Sequence, residues 1–438
     1  MRTNQPLRAR KLALEVYTRV IHGEYVQPTV LKVLAANPDL TAAERGVVYD
    51  LCFGTARHDF LLAQRVNARL DTPGRLPLQL ILALRIAAYE LVIKQGAAYG
   101  VINAWVEIVK EQFPRLVSLA NGVLRRIERE PFQTNPQAYT TIEEQIQGLG
   151  LPAFLVKSLN RALGSTERVN RAVIGMRSPA PTWVTVYDEA GEQATCAELP
   201  VTRRLPQTGY PASLAVQLRS HLEHTEVFTA GHVQPQNPSS LELIRLAALP
   251  GGRLLDIASG HGIKAAGFAK LGMSVVAVET EPGRSAAGEA NTRRLHTTVT
   301  HVVADATKTL PREDGERFDR VVVDAPCSGT GTLRSNPEIL FRLQRKHVLA
   351  LTQLQARMLK KAASAVKPGG QLWYSVCSLT YEEGDQMMGE FLAEHEEFTT
   401  QPVHLSLPGV TGTHGVYVLP EDGRDGFYFA CLARQEEG

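Results

Sequence analysis

The chain has 438 residues, 44% apolar and 21% charged, with a formal net charge of +2, which suits a soluble globular protein of about three domains. No apolar run reaches the ~18 residues of a membrane span, and Met1 to Tyr17 shows neither an apolar core nor a small-residue cleavage site, so neither a membrane anchor nor a secretory leader is expected. The charge is unevenly placed: residues 1–180 hold 23 lysines and arginines against 15 acidic residues, net +8, while the rest holds 24 against 30, net −6.

Residues 1–130 read as helical throughout. Leu12, Val16 and Val20 fall at i, i+4, i+8; Val48, Leu51, Cys52 and Ala56 continue a helical stripe, as do Ile81, Leu84, Ala88 and Leu91, and then Leu116, Leu119, Val123 and Ile127. An all-α domain over 1–140 follows, with Cys52 in its core. Its basic surplus suggests a polyanion-binding module, although a solvated arginine-rich surface has the same charge. Arg125, Arg126 and Arg129 at one helix end are candidate phosphate contacts, and equally good partners for that helix's own dipole. Glu130 to Tyr139, with two prolines, reads as a linker, 142–175 as helical, and Trp183–Tyr187 as a short strand in a small α+β region over 141–235. Gly231 to Ser240 reads as a loop.

From residue 241 strands alternate with helices, the pattern of a parallel α/β sheet. Candidate strands are Arg253–Ile257, Ser274–Glu279, Thr298–Val303, Arg320–Asp324 and Gln371–Ser375. A long helix, His347–Val366, turns Leu351, Leu354, Met358, Ala362 and Ala365 inward and stops at Lys367-Pro-Gly-Gly370.

The first of these strands runs into Ala258-Ser259-Gly260-His261-Gly262-Ile263-Lys264, a glycine turn that opens a helix. Glu279 ends the second strand 19 residues after Gly260, at the spacing where an acid meets ribose hydroxyls. Asp305 follows the third strand and Asp324 ends the fourth, and Arg284 joins the expected cofactor set. A nicotinamide site would want a third glycine, and a phosphate loop its G-x-x-x-x-G-K-[ST]. A site for S-adenosylmethionine needs neither, only glycines by the methionine tail and an acid for the ribose.

The five cysteines, Cys52, Cys196, Cys327, Cys377 and Cys431, are odd in number, scattered and without a C-x-x-C pair. No disulfide framework and no metal site are expected, and a reducing cytoplasm is the natural compartment. Cys327 and Cys377 each lie just past a strand end on the cofactor edge, a placement better explained by chemistry than by packing.

Asp324-Ala-Pro-Cys-Ser-Gly-Thr-Gly331, Asn336-Pro-Glu338, Tyr374-Ser-Val-Cys-Ser378 and Asp425-Gly-Phe-Tyr-Phe-Ala430 resemble the signature of RNA cytosine-C5 methyltransferases. Glu44 to Tyr49, Val101 to Ala104 and Asn121 to Arg126 resemble the NusB fold. The combination is similar to Sun/Fmu-type enzymes of small-subunit ribosomal RNA. The resemblance implies an all-α NusB-like domain (1–140), a small α+β RNA-contact domain (141–235) and a Rossmann-like class I methyltransferase domain (236–438), acting as a cytoplasmic monomer on RNA. It assigns Cys377 as the nucleophile that adds to cytosine C6 and Cys327 to product release. DNA cytosine methyltransferases attack with a Pro-Cys thiol, which keeps Cys327 as the rival nucleophile. It also places Lys264 in the active site and Asp324 on the cytosine edge, where it can supply a proton to N3. His261 stands where the family has Pro, Ile263 where it has Gly, and Gly384 where it has Asn after Glu383. Two other readings fit parts of the pattern. One is a methyltransferase for amino groups, which would prefer an Asn/Asp-Pro-Pro-Tyr motif. The other is a non-catalytic RNA-binding assembly factor with a degenerate cofactor fold.

Overall fold

A computed structural model describes residues 5–132, 135–206, 208–218, 221–311 and 317–436. The chain forms two compact units. The first comprises Met1–Lys157, Thr166–Arg177 and Leu333–Arg342; the second is Ser158–Ser165, Ser178–Thr332 and Leu343–Gly438.

The first unit is helical, as the periodicity predicts. Helices Gln5–Ile21, Val26–Ala35, Ala42–Asn67, Leu78–Ala88, Ala98–Gln112 and Val117–Arg129 enclose one core that includes Val16, Val20, Val48, Leu51 and Cys52. Thr41 and Glu44 start the longest of them with a reciprocal capping box. Two buried carboxylates are paired: Asp59 accepts from Arg85 at 3.0 Å and from the Tyr17 hydroxyl, and Glu90 from Trp105 Nε1 at 2.6 Å and Arg10 at 2.7 Å. Of the expected linker, Pro136–Ala138 forms a 3₁₀ turn, and residues 133 and 134 lie outside the described residues.

A late segment completes this unit. Phe341 packs edge-on against Tyr17 with ring centroids 6.2 Å apart, Arg57 Nε donates to the Arg334 carbonyl at 2.8 Å, and Arg342 donates to the Gly23 carbonyl. Nothing local in 333–342 announces this, because the contacts that place the segment are made with residues more than 270 positions earlier in the chain.

The region expected as a separate middle domain divides. Helices Ile142–Gly148 and Thr166–Arg177 belong to the first unit, where the buried Gln145 side chain donates to Asn170 at 2.7 Å. Strands β1 (Thr182–Val186), β2 (Val201–Leu205), β3 (Ala212–Val216) and β4 (Gln234–Pro235) form a four-stranded sheet in the second unit, in the order β2-β3-β1-β4. Trp183 Nε1 ties it to the Gly423 carbonyl at 2.8 Å. The loop expected at 231–240 thus contains β4, and a helix already begins at Pro238 because Asn237 caps the Ser239 amide and proline suits the first helical position.

The large sheet contains β5 (Arg253–Ile257), β6 (Ser274–Glu279), β7 (Thr300–Val303), β8 (Phe318–Asp324), β9 (Val366–Val376), β10 (Phe398–Gln401), β11 (Gly409–Thr411), β12 (Val416–Val418) and β13 (Phe427–Arg434). Its order is β11-β12-β13-β9-β8-β5-β6-β7, with β10 also on β13. Strands β7-β6-β5-β8-β9 are parallel, and β13 runs antiparallel to β9. Leu254, Leu255, Val321, Val322, Val323 and Leu372 are fully buried, as expected for strands covered on both faces. The long helix spans Arg345–Ala365, but Lys367–Gly370 does not form a loop. Val366 already pairs with Phe318, and a register shift with Gly369 at φ +72° absorbs the tetrapeptide into β9. Strand order reverses at β5, which lies between β6 and β8, so a crevice opens at the carboxyl ends of these strands.

Candidate active site

The turn after β5 is left-handed at three places: Ala258 (φ +62°), Gly260 (φ +57°) and Gly262 (φ +66°). At Ala258 this costs about 1 kcal/mol, and the Ser259 amide bond to the Val278 carbonyl at 3.0 Å helps hold it. A Cβ on Gly260 would meet nothing within 4 Å, so its backbone is open to a ligand. Gly262 differs: a Cβ there would come within 3.0 Å of Gly288 Cα and 3.2 Å of the His301 ring, so glycine is required for packing.

The predicted residues converge. Ala258, Gly260, Glu279, Arg284, Asp305, Asp324, Cys327 and Cys377 line one cleft of about 410 Å³, walled by Val278, Leu354 and Met358 among others. Ser259, His261, Ile263 and Lys264 line an adjoining cavity of about 190 Å³ that shares Ala258, Gly260 and Asp324. Gly262 lines neither. The long helix's Leu354 and Met358 thus face the cleft rather than a sealed core.

The carboxylates are held in place. Glu279, 5% exposed, accepts from the Gly260 amide at 2.9 Å and the Glu281 amide at 3.0 Å, which fixes the turn to the end of β6. Asp305 accepts from the Thr307 hydroxyl at 2.7 Å and amide at 3.0 Å; these bonds and Lys308 hold its carboxyl down at about 2. Asp324 accepts from Lys264 Nζ at 2.6 Å and Ser375 Oγ at 3.0 Å, its β9 neighbour by register. Burial alone would pull the Lys264 ammonium down, but Asp324, Asp256 and Cys377 hold it above its ordinary value.

The two sulfurs lie 3.2 Å apart. Contact with Cys377 first, and burial second, push the Cys327 thiol well above its ordinary value. Two thiols so close share one proton more easily than they lose two. The surrounding charges are unequal: Lys264 couples to Cys377, and Glu383 to Cys327. The negative charge of Glu383 thus opposes ionisation of the Cys327 thiol.

Sequence reasoning missed Asp256 as a site group. It is fully buried beneath the turn, and burial, then Asp324, push its carboxyl up to about 7 from 3.8. Ionising it therefore opposes folding: its contribution is intact below the ordinary carboxylate range and is lost as pH rises through about 7. Asp256→Asn should gain on the parent by about 2–3 kcal/mol between about pH 5 and about pH 8. Denaturant unfolding at both pH values checks this, and a pH-independent difference would show an unshifted carboxyl.

A family model described as 16S rRNA methyltransferase RsmB/F matches residues 243–433, and the NusB family model matches 7–129. Over 435 residues, 99% of each chain, the protein is 33% identical to ribosomal RNA small subunit methyltransferase B of Thermus thermophilus. The chain belongs to the ribosomal RNA small subunit methyltransferase B family. A probable methyltransferase B of Bacillus subtilis is 27% identical over 89% of each chain. The crystal structure of PH0851 has the same fold over 99% of both chains, with TM-score 0.75 and 23% identity. NSun6 from Pyrococcus horikoshii, solved with SFG, covers 65% of this chain and 99% of its own at TM-score 0.56 and 18% identity.

This methyltransferase B relative is an S-adenosylmethionine-dependent enzyme with a NusB-like helical domain and a class I methyltransferase domain, as the resemblance implied. Its cleft suits that cofactor: the size fits a nucleoside, Gly260 leaves the backbone open, and two anchored carboxylates face the same space. Among the described residues, no helix is long and apolar enough to cross a membrane, and no three His, Cys, Asp or Glu side chains gather as a metal-holding group.

Proposed function

We propose that the enzyme methylates C5 of a cytosine in small-subunit ribosomal RNA in the cytoplasm, through a covalent Cys377–C6 adduct. The observation that carries this reading is the pair of thiols at 3.2 Å on the wall of the cleft, beside the Lys264–Asp324 pair. A single thiol would suffice for packing; two in contact serve addition and elimination.

S-adenosylmethionine, when bound, supplies an electrophilic methyl. Glu279 and Asp305 would hold its nucleoside part, and the turn from Ala258 to Lys264 would border its methionine end. Asp324 receives the cytosine edge, and the Lys264–Asp324 pair provides the proton that N3 takes up as the Cys377 sulfur adds to C6. Addition breaks the aromaticity of the ring and makes C5 enamine-like, hence nucleophilic. Once C5 is methylated, its proton passes to solvent water as the C6–S bond breaks, the electron pair of that bond leaves with the Cys377 sulfur, and N3 returns its proton to the Lys264–Asp324 pair, which restores the ring. The Cys327 S–H stabilises the departing thiolate. The target base leaves its stack to reach the cleft, and the basic surplus of residues 1–180 supplies salt-sensitive phosphate contacts.

The test is the full-length enzyme with S-adenosylmethionine and unmodified small-subunit ribosomal RNA, read by bisulfite sequencing. A new protected cytosine is expected; transfer of label without any protected cytosine would place the methyl elsewhere. Glu279→Ala should weaken cofactor binding by about 1.5–3 kcal/mol, as expected for lost charge-assisted hydrogen bonds. Unchanged affinity by titration calorimetry would remove Glu279 from the cofactor site.

A further inference from the structure

Both thiols sit on loops, and loops do not hold two sulfurs in contact by themselves. Cys327 follows β8 and Cys377 follows β9. Between these loops lies Glu383, fully buried, just ahead of the helix Asp385–Glu394. Its Oε1 accepts from the Ser328 amide at 2.8 Å and Gln355 Nε2 at 3.1 Å. Its Oε2 accepts from the hydroxyls of Ser328 at 2.5 Å, Ser378 at 2.7 Å and Thr380 at 2.8 Å.

The donors are distributed in a telling way. Ser328 is the residue after Cys327, and Ser378 the residue after Cys377. Gln355 lies on the long helix and also donates to the Pro326 carbonyl at 2.9 Å, the residue before Cys327. One carboxylate therefore gathers the immediate neighbours of both sulfurs and braces them against a rigid helix. The next residue adapts to the same purpose. A Cβ on Gly384 would lie 2.4 Å from the Tyr417 hydroxyl, which binds the Asp385 amide at 3.1 Å, so glycine lets the chain pass closely under Tyr417.

We propose that Glu383 is a positioning residue that clamps the two cysteine loops together and sets the separation of the Cys327 and Cys377 sulfurs. The proposal rests on the methyl-transfer reading above for its purpose, but its geometry can be tested without RNA. A burial this complete costs too much unless all the donors are used, and all five come from the segments that carry or support the thiols. The negative charge of Glu383 also faces Cys327, and so opposes ionisation of that thiol.

Proximity is read with diamide, which takes two electrons and two protons from a pair of thiols. The Cys327 and Cys377 S–H bonds break, the S–S bond forms, and diamide becomes the hydrazine. Full-length parent and Glu383→Gln, which keeps the volume and replaces one acceptor by a donor, are oxidised side by side, and the Cys327–Cys377 peptide pair is quantified by mass spectrometry. Cofactor affinity by calorimetry confirms that the variant is folded. Glu383→Gln should form the disulfide at least about tenfold more slowly. It should also methylate RNA about 10²-fold more slowly at saturating substrate, with little change in KM, the scale expected for a displacement of about 1 Å. Alkylation of Cys327 by iodoacetamide should shift to lower pH in the variant, because the opposing charge is gone. Glu383→Asp keeps the charge and should restore that pH profile, though not the disulfide rate. Disulfide formation at the parental rate in Glu383→Gln overturns the proposal, as does normal methylation alongside slow disulfide formation. If the parent forms the disulfide rapidly and methylates no cytosine, the clamp stands on the disulfide comparison alone and the methyl-transfer reading falls.

Discussion

Cys327→Ala should trap the enzyme on its RNA, and Cys377→Ala should not. With Cys377 as nucleophile, its removal abolishes addition to C6, so neither methylation nor a covalent complex remains. The loss should be on the order of 10⁴-fold or more, as when other covalent nucleophiles are removed. Cys327→Ala leaves Cys377 beside Lys264, so addition and methyl transfer proceed, but the departing sulfur loses the S–H donor that now lies 3.2 Å away. Elimination slows and the adduct accumulates. A denaturing gel with labelled RNA and cofactor reads this directly. A shifted band in Cys377→Ala would reverse the two roles, and continued methylation without any band in both variants would rule out covalent catalysis.

Asp324→Asn should lower single-turnover methyl transfer by about 10²–10⁴-fold, the usual range for a lost general acid or base. The structural cause is twofold. The carboxylate that accepts the Lys264 Nζ hydrogen bond at 2.6 Å is gone, and Lys264 is left in a site only 14% exposed without its main partner. Burial then prevails, and the lysine loses its proton at lower pH than in the parent. The variant's activity should therefore fall off at a lower alkaline pH than the parent's. A drop of less than about tenfold, with an unchanged pH profile, would take Asp324 out of proton transfer.

The cofactor edge was legible because its signals are local. Strands β5 and β6 run over the residues expected, since parallel strands covered on both faces read as continuous apolar runs. The glycine turn and the acids after successive strands are matters of spacing, and the cleft gathers them. What escaped was tertiary. Glu383 stands between Glu382 and Gly384 like any polar loop residue, and only folding reveals that it is fully buried with five donors. Asp256 sits in a recognisable motif, but its raised affinity for a proton comes from burial and from Asp324, which is 68 residues away in the chain. The turn-like Lys367-Pro-Gly-Gly370 was overruled by pairing with β8. The antiparallel strands β10 to β13 follow no helix-strand alternation and left no rhythm to read.

The ten residues Leu333–Arg342 carry a consequence for how the protein is made. They are the last part of the first unit to be translated, and they come directly after the loop that bears Cys327. Until Phe341 emerges from the ribosome, the Tyr17 ring lacks its edge-on neighbour, and the carbonyl of Gly23 lacks Arg342. The unit that is synthesised first is thus among the last to be finished. A nascent chain halted before residue 342 keeps an incomplete helical unit, exposed to chaperones and proteases, while a chain whose helical unit has closed has already delivered its Pro-Cys loop.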